Sequence, residues 1–122
     1  MMRAALVLLP LALAACVDEN AGRDAQLLRT ARAGMNAVRG LPGGRTASFT
    51  EVRLVGGTTV CGKIDGNDGD GPRPFSARGS DVAVADMRDP ASIAAIERNC
   101  AGQPVHELRS RNEQFSDLSV VS

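Results

Sequence analysis

Tryptophan and tyrosine are absent from this 122-residue chain, which has only three phenylalanines. With so few aromatic side chains, most of the bulk of a core has to come from valine, leucine and isoleucine. The formal net charge is zero and Lys63 is the single lysine, so the sequence lacks the basic field that attracts nucleic acid. A chain of this length is expected to form one small domain of marginal stability.

Histidine is equally scarce, since His106 is the only one, and this excludes a metal site with two histidine ligands. No pair of carboxylates has a spacing typical of acid–base catalysis, and no two cysteines have the CxxC spacing of redox enzymes. We therefore predict no catalytic, cofactor-binding or metal-ligating residue, and we expect that the protein is not an enzyme.

The N-terminus has the three-part layout of an export signal. Arg3 gives a charged start, and an apolar run follows from Ala4 to Ala15. The run is shorter than the roughly 20 residues that span a bilayer, and Pro10 interrupts it. The pattern is typical of a signal peptide rather than of a membrane-spanning helix.

The end of this leader, Leu13-Ala14-Ala15-Cys16, resembles the lipobox of bacterial lipoproteins. The resemblance implies cleavage before Cys16 and attachment of diacylglycerol and palmitate to this residue, which would anchor the chain to a membrane. An aspartate directly after the lipidated cysteine would favour retention in the inner membrane, but Val17 occupies that position. We therefore expect the protein to be anchored in the outer membrane and to face the periplasm. The alternative is a secreted protein cleaved at Ala12-Leu13-Ala14, with a spare thiol at Cys16.

Two further cysteines, Cys61 and Cys100, remain after Cys16 is lipidated. In an oxidising compartment only one intramolecular pairing of them is possible. The bridge would close a loop of roughly 40 residues and contribute on the order of 3–4 kcal/mol. We predict this disulfide; the alternatives are two buried free thiols or an intermolecular bond.

Two segments have the periodicity of amphipathic helices. The first helix is expected to start near residues 20–23 and to end at Gly40. The second is expected to start at Asp89-Pro90, where the aspartate can cap and the proline fits the first turn, and to end at Gly102. The apolar faces comprise Leu27, Ala31, Met35 and Val38 in the first helix and Ile93, Ile96 and Cys100 in the second.

Extended segments with β-branched and aromatic residues lie between the helices, over 47–55, 58–64, 74–76 and 82–87. Gly56-Gly57 is typical of a β-hairpin. We predict an α+β fold, in which the N-terminal helix and the second helix pack on a small antiparallel sheet of three or four strands. The expected core residues are Phe49, Val52, Leu54, Val60, Ile64, Phe75, Val82, Val84, Ile93 and Ile96.

The predicted organisation has four parts: a signal peptide at 1–15, a lipidated polar tether at 16–22, the α+β domain at 23–102 and a partly ordered tail at 103–122. Within the domain, the segments 48–53 (SFTEVR) and 60–65 (VCGKID), with Gly71 and Phe75, are similar to a group of small exported proteobacterial proteins that are largely uncharacterised. The resemblance covers residues 46–76. It implies a compact exported α/β domain whose motif cysteine pairs with a later one, and it implies no activity.

The loop at 65–70 is rich in oxygen ligands of the kind that calcium takes: Asp65, Asn67, Asp68 and Asp70. An EF-hand loop starting at Asp65 would have Gly69 at its fifth position and Ser76 at its twelfth, so the spacing fails. A solvated turn explains the same residues. We therefore expect a non-enzymatic envelope lipoprotein that binds another envelope protein or supports an assembly. The alternative is a periplasmic ligand- or Ca²⁺-binding module that uses this loop.

Overall fold

A computed structural model describes residues 5–66 and 69–121, with side chains from residue 21 onward. This part of the chain forms two α-helices and one antiparallel sheet of six strands in the order β4-β3-β2-β1-β5-β6. The helices are α1 (Ala5–Arg39) and α2 (Pro90–Asn99), and a short 3-10 helix occupies Gly44–Thr46. The strands are β1 (Ser48–Val55), β2 (Thr59–Asp65), β3 (Arg73–Arg78), β4 (Asp81–Val84), β5 (Val105–Arg109) and β6 (Ser119–Val120).

The α+β class is confirmed, whereas the predicted count of three or four strands was wrong. The two additional strands come from the C-terminal segment, which we expected to be only partly ordered. β5 pairs with the free edge of β1, with Val105 opposite Val55 and Glu107 opposite Arg53, and β6 pairs with β5. This pairing joins residues about 50 positions apart, and such long-range partners leave no periodic signal in a strand as short as β5.

Contacts with α1 hold the same C-terminal segment in place. The Arg39 guanidinium lies 5.2 Å from the centroid of the Phe49 ring and donates a hydrogen bond to the Gln114 carbonyl oxygen. Leu108 and Leu118 are both buried in the core. Because these contacts are tertiary, the order of the tail could not be predicted from its local composition.

Helix α1 begins at Ala5 and not near residues 20–23, so it includes the segment predicted to be a polar tether. Alanine, leucine and arginine dominate residues 5–39, and all three favour helix, which offsets the lower helix propensity of Gly22 and Gly34. The predicted end is confirmed, because the Gly40 amide donates to the Asn36 carbonyl oxygen and the helix ends at Arg39. Among the residues that the structure describes, no helix has the length and apolar character needed to cross a membrane.

The two helices lie on opposite faces of the sheet. Val60 of β2 points towards α1, since a Cβ built on Gly34 would lie 2.7 Å from its Cγ2 atom. The next residue, Cys61, points the other way, as expected for a strand, and is bonded to Cys100 at the end of α2. Asn99 of α2 also donates a hydrogen bond to the Ser76 hydroxyl of β3 on this face.

The main core lies between α1 and the sheet. Seven of the ten predicted core residues are buried, and Val82, Val84 and Ile93 are half-buried. The rings of Phe49 and Phe75 meet edge to face, with centroids 5.6 Å apart. The buried core cluster comprises Ala31, Met35, Val38, Ala47, Phe49, Val52, Leu54, Val60, Ile64, Phe75, Ala77, Leu108 and Leu118.

A β-bulge in β1 explains its imperfect alternation. Thr50 lies opposite Lys63 and Arg53 opposite Cys61, so that Glu51 and Val52 together face Gly62. Glu51 has the positive φ of 54°, a conformation that is uncommon outside glycine. The extra residue shifts the phase of the strand by one position, which brings Phe49 and Val52 into the same core.

Gly34 allows α1 to approach the sheet closely, because a Cβ there would meet the buried Val60 side chain at 2.7 Å. We expect Gly34→Ala to lower the free energy of unfolding by about 1–2 kcal/mol, because overpacking outweighs the helix propensity gained by alanine. The matched control is Gly22→Ala on the same helix, where a Cβ would meet nothing within 4 Å. Urea denaturation should show a gain of about 0.5–1 kcal/mol for this control, and equal effects of the two variants would contradict the packing argument.

Candidate functional site

The structure does not describe the side chain of Cys16, which is the predicted lipidation site. Cys16 lies within α1, but its side chain is outside the described part of the structure, as are all side chains of the leader. The predicted signal peptide at 1–15 and the acylation of Cys16 therefore stay predictions from the sequence. The first α1 side chains seen packing against the core are Leu27 and Leu28.

The disulfide between Cys61 and Cys100 is confirmed. Its sulfur atoms are 2.04 Å apart, and it joins residues separated by 39 positions. Cys61 is completely buried in β2, whereas Cys100 is half-buried at the end of α2. The bond therefore fixes the end of α2 to the centre of the sheet, on the face opposite α1.

The acidic loop is only partly described, because Asn67 and Asp68 lie outside the described residues. Asp70 is exposed and accepts a hydrogen bond from the Arg73 guanidinium at 2.8 Å, so its carboxylate faces a cation of the chain itself. No group of three or more histidine, cysteine, aspartate or glutamate residues is placed to hold a metal ion within the described part of the chain.

His106 is half-buried on β5, opposite Leu54 of β1.

Two cavities lie near one end of the sheet, where α1 and β2 end and β3 begins. The larger is a groove of about 550 Å³, lined by Asp70, Pro72, Arg73, Pro74, Ala85, Asp86, Met87 and Arg88. The smaller has about 280 Å³ and is lined by Val38, Leu41, Pro42, Gly43, Gly44, Ile64, Gly66, Arg73 and Val84. We call the smaller cavity the Leu41 pocket. Arg73 lines both cavities.

Met87 stands at the tip of a tight turn beside the groove. The segment 82–87 was expected to be a strand, but β4 ends at Val84, because the chain turns at Asp86. The Asp86 carbonyl oxygen accepts a hydrogen bond from the Asp89 amide at 2.9 Å, and its carboxylate accepts one from the Arg88 amide at 2.9 Å. We call residues 86–89 the Met87 turn.

The Met87 turn is also attached to the start of α2. The Asp86 amide donates to the Ser92 hydroxyl at 3.0 Å, and that hydroxyl donates to the Asp89 carbonyl oxygen at 2.7 Å. Met87 itself is 89% exposed. Three large hydrophobic residues are exposed in the described structure, and Met87 is the most exposed of them; the others are Leu41 and Val105.

The groove, the Leu41 pocket and the Met87 turn combine apolar and charged residues. The groove is lined by two arginines and two aspartates, of which Arg73 and Asp70 pair with each other. In the sequence, the feature that indicates an exposed apolar residue here is a methionine within the polar segment Asp86-Met87-Arg88-Asp89. Comparison with known proteins found no matching family model, no matching curated protein and no matching solved structure.

Proposed function

We propose that this chain is a small envelope lipoprotein that is anchored through acyl chains on Cys16. It has no enzymatic activity, and it binds another envelope protein or supports an envelope assembly. The anchor holds it at the outer membrane, facing the periplasm. The observation that carries the proposal is the disulfide between Cys61 and Cys100.

That disulfide supports the proposal in two ways. Structural disulfides are typical of exported proteins and rare in the cytosol, so the bond agrees with an export signal at the N-terminus. It also uses two of the three cysteines in the chain. The remaining one, Cys16, is the cysteine that ends the lipobox-like motif.

The proposed anchor has an adequate physical basis. Burial of acyl chains contributes about 0.8 kcal/mol per CH₂ group, and two or more chains on one residue give stable attachment. The binding role is supported by the surface at the Arg73 end of the sheet, where Met87 is presented on a turn fixed by hydrogen bonds. An exposed apolar side chain on a backbone that is already ordered is suited to a protein contact site, because little conformational entropy of the backbone is lost on binding.

Metabolic labelling with a palmitate analogue tests the anchor. We expect the full chain to carry the label and to fractionate with outer membranes, and we expect Cys16→Ser to lose both properties. The control is Cys61→Ala combined with Cys100→Ala, which removes the other two cysteines and should retain the label. An unlabelled wild-type chain, or a Cys16→Ser variant that fractionates like the wild type, would refute the lipoprotein proposal.

A further inference from the structure

We infer that a small pocket beside the C-terminal half of α1 binds a phosphate monoester group, which is held by the guanidinium groups of Arg32 and Arg39. The pocket lies between α1 and the segment 115–118 and has a volume of about 220 Å³. We call it the Arg32 pocket. It is a ligand site beyond the proposed role in an envelope assembly, and it does not depend on the lipid anchor.

Positive charge dominates the lining of the Arg32 pocket. Neither Arg32 nor Arg39 forms an ion pair with a carboxylate in the described part of the chain, and no aspartate or glutamate among the described residues lines the pocket. Arg29 is exposed one turn before Arg32 on the same side of the helix, and extends the positive surface. The C-terminal end of α1 contributes a partial charge of about −0.5, which two full positive charges outweigh. The pocket therefore favours an anion.

The guanidinium of Arg39 is held in position before a ligand arrives. It lies 5.2 Å from the centroid of the Phe49 ring and donates a hydrogen bond to the Gln114 carbonyl oxygen. A guanidinium has five N–H donors, so these contacts leave others for an anion. Because the group is already fixed, less side-chain entropy is lost when the ligand binds.

Two uncharged polar side chains bring further hydrogen-bond donors to the same lining, Asn36 and Ser116. The amide nitrogen of Asn36, which is exposed on α1, can donate two hydrogen bonds. The Ser116 hydroxyl oxygen accepts a hydrogen bond from the Asn112 side-chain amide at 2.6 Å, which leaves its own hydrogen to donate. A phosphate group presents three strong acceptor oxygens, so it can use these donors together with the two guanidinium groups.

The rest of the lining is apolar and comprises Met35, Phe115 and Leu118. Met35 and Leu118 are buried, and low polarity beside a charge strengthens its attraction for an opposite charge. Phe115 has a positive φ of 54°, and residues with such backbone conformations are often found where ligands bind.

Charge and size favour a phosphate monoester over other anions. A monoester carries about −1.5 to −2 at pH 7, which matches the two arginines better than the single charge of a carboxylate. The guanidinium fork can bind a phosphate through two parallel hydrogen bonds. The pocket volume lies below the about 300–1,000 Å³ of pockets for drug-sized ligands, so a small group fits. A soluble ester and a monoester lipid headgroup both present this group.

Calorimetry with glycerol 3-phosphate tests the pocket, using the full chain in a neutral detergent at low ionic strength. We expect saturable binding that Arg32→Gln weakens about tenfold or more, because a charge-assisted interaction is lost. Arg32→Lys keeps the charge without the fork, so its affinity should lie between the two. Arg32 is exposed and has no ion pair within the described residues, so both variants should melt at the temperature of the wild type.

The matched control is Arg98→Gln, which removes an exposed arginine from α2. It changes the net charge by the same amount as Arg32→Gln and should leave the affinity for glycerol 3-phosphate unchanged. The inference is overturned if the wild-type chain binds neither this ester nor a monoester lipid, or if Arg32→Gln and Arg98→Gln have equal effects.

Flotation with phosphatidylcholine vesicles, with and without phosphatidic acid, identifies the source of the phosphate. The full chain carries Cys16→Ser here, so that acylation cannot attach it to the bilayer. A gain with phosphatidic acid that Arg32→Gln abolishes assigns the site to a lipid headgroup, and Arg32-dependent binding of glycerol 3-phosphate without this gain assigns it to a soluble ester. Loss of phosphate binding by a palmitate-labelled chain would refute the pocket alone, and phosphate binding by a chain that takes up no label would refute the anchor alone.

Discussion

Replacing Cys61 and Cys100 together by alanine is expected to lower the free energy of unfolding by about 3–4 kcal/mol. The bond closes a loop over a separation of 39 residues, and its loss restores conformational freedom to the unfolded chain. For a domain of this size the melting temperature should fall by on the order of 15 °C or more. Thermal and urea denaturation of the full chain under oxidising conditions measures both quantities.

Alanine is the appropriate replacement because Cys61 is completely buried, and a serine hydroxyl there would add a desolvation penalty. Cys16→Ser is the control, since it removes a cysteine without touching the bridge. It should leave the free energy of unfolding within about 0.5 kcal/mol of the wild type. A loss below about 1 kcal/mol for the double variant would show that the bridge contributes little to the stability of this fold.

Gly62→Ala is expected to lower the free energy of unfolding by about 2–3 kcal/mol. Gly62 faces the bulge in β1, and a Cβ there would lie 3.0 Å from the Thr50 carbonyl oxygen and 3.2 Å from the Cα atom of Val52. Both atoms belong to the backbone, which cannot move aside without disturbing the pairing of β1 with β2. Glycine is required here by close approach, since Gly62 is not among the residues with positive φ.

The control for this prediction is Lys63→Ala on the adjacent residue. Lys63 forms an ion pair with Glu51 of the bulge at 3.2 Å, but both side chains are largely exposed, so the pair contributes little. Urea denaturation should show a change within about 0.5 kcal/mol for Lys63→Ala. If Gly62→Ala is as stable as this control, the bulge adjusts more easily than the contact distances indicate.

The sequence predicted best those features that depend on neighbouring residues. The spacing of Ala31, Met35 and Val38 predicted the buried face of α1. Asp89-Pro90 predicted the position where α2 starts, with the proline in the first turn, although the Asp89 side chain makes no capping hydrogen bond. The two glycines at 56 and 57 predicted the hairpin between β1 and β2, and both have positive φ. In each case the residues that favour the local structure lie close together in the sequence.

The sequence did not predict structural features that depend on residues distant in the chain. β5 exists because β1 has an unpaired edge, and nothing in residues 105–109 alone reveals that edge. The bulge at Glu51 and Val52 depends on Gly62 in the opposite strand. The sequence showed only its consequence, an alternation of apolar and polar residues that did not fit a regular strand.

For this protein the sequence by itself determined the number of cysteines, the two helical segments and the α+β class, because composition and local periodicity encode them; the export-type leader stays a prediction. Only the tertiary structure decided that six strands form the sheet, that the helices cover opposite faces, and that Met87 lies beside a groove lined also by Arg73 of β3. The reason is that pairing and packing join residues distant in the chain, and their free energy exists only once both partners are in place.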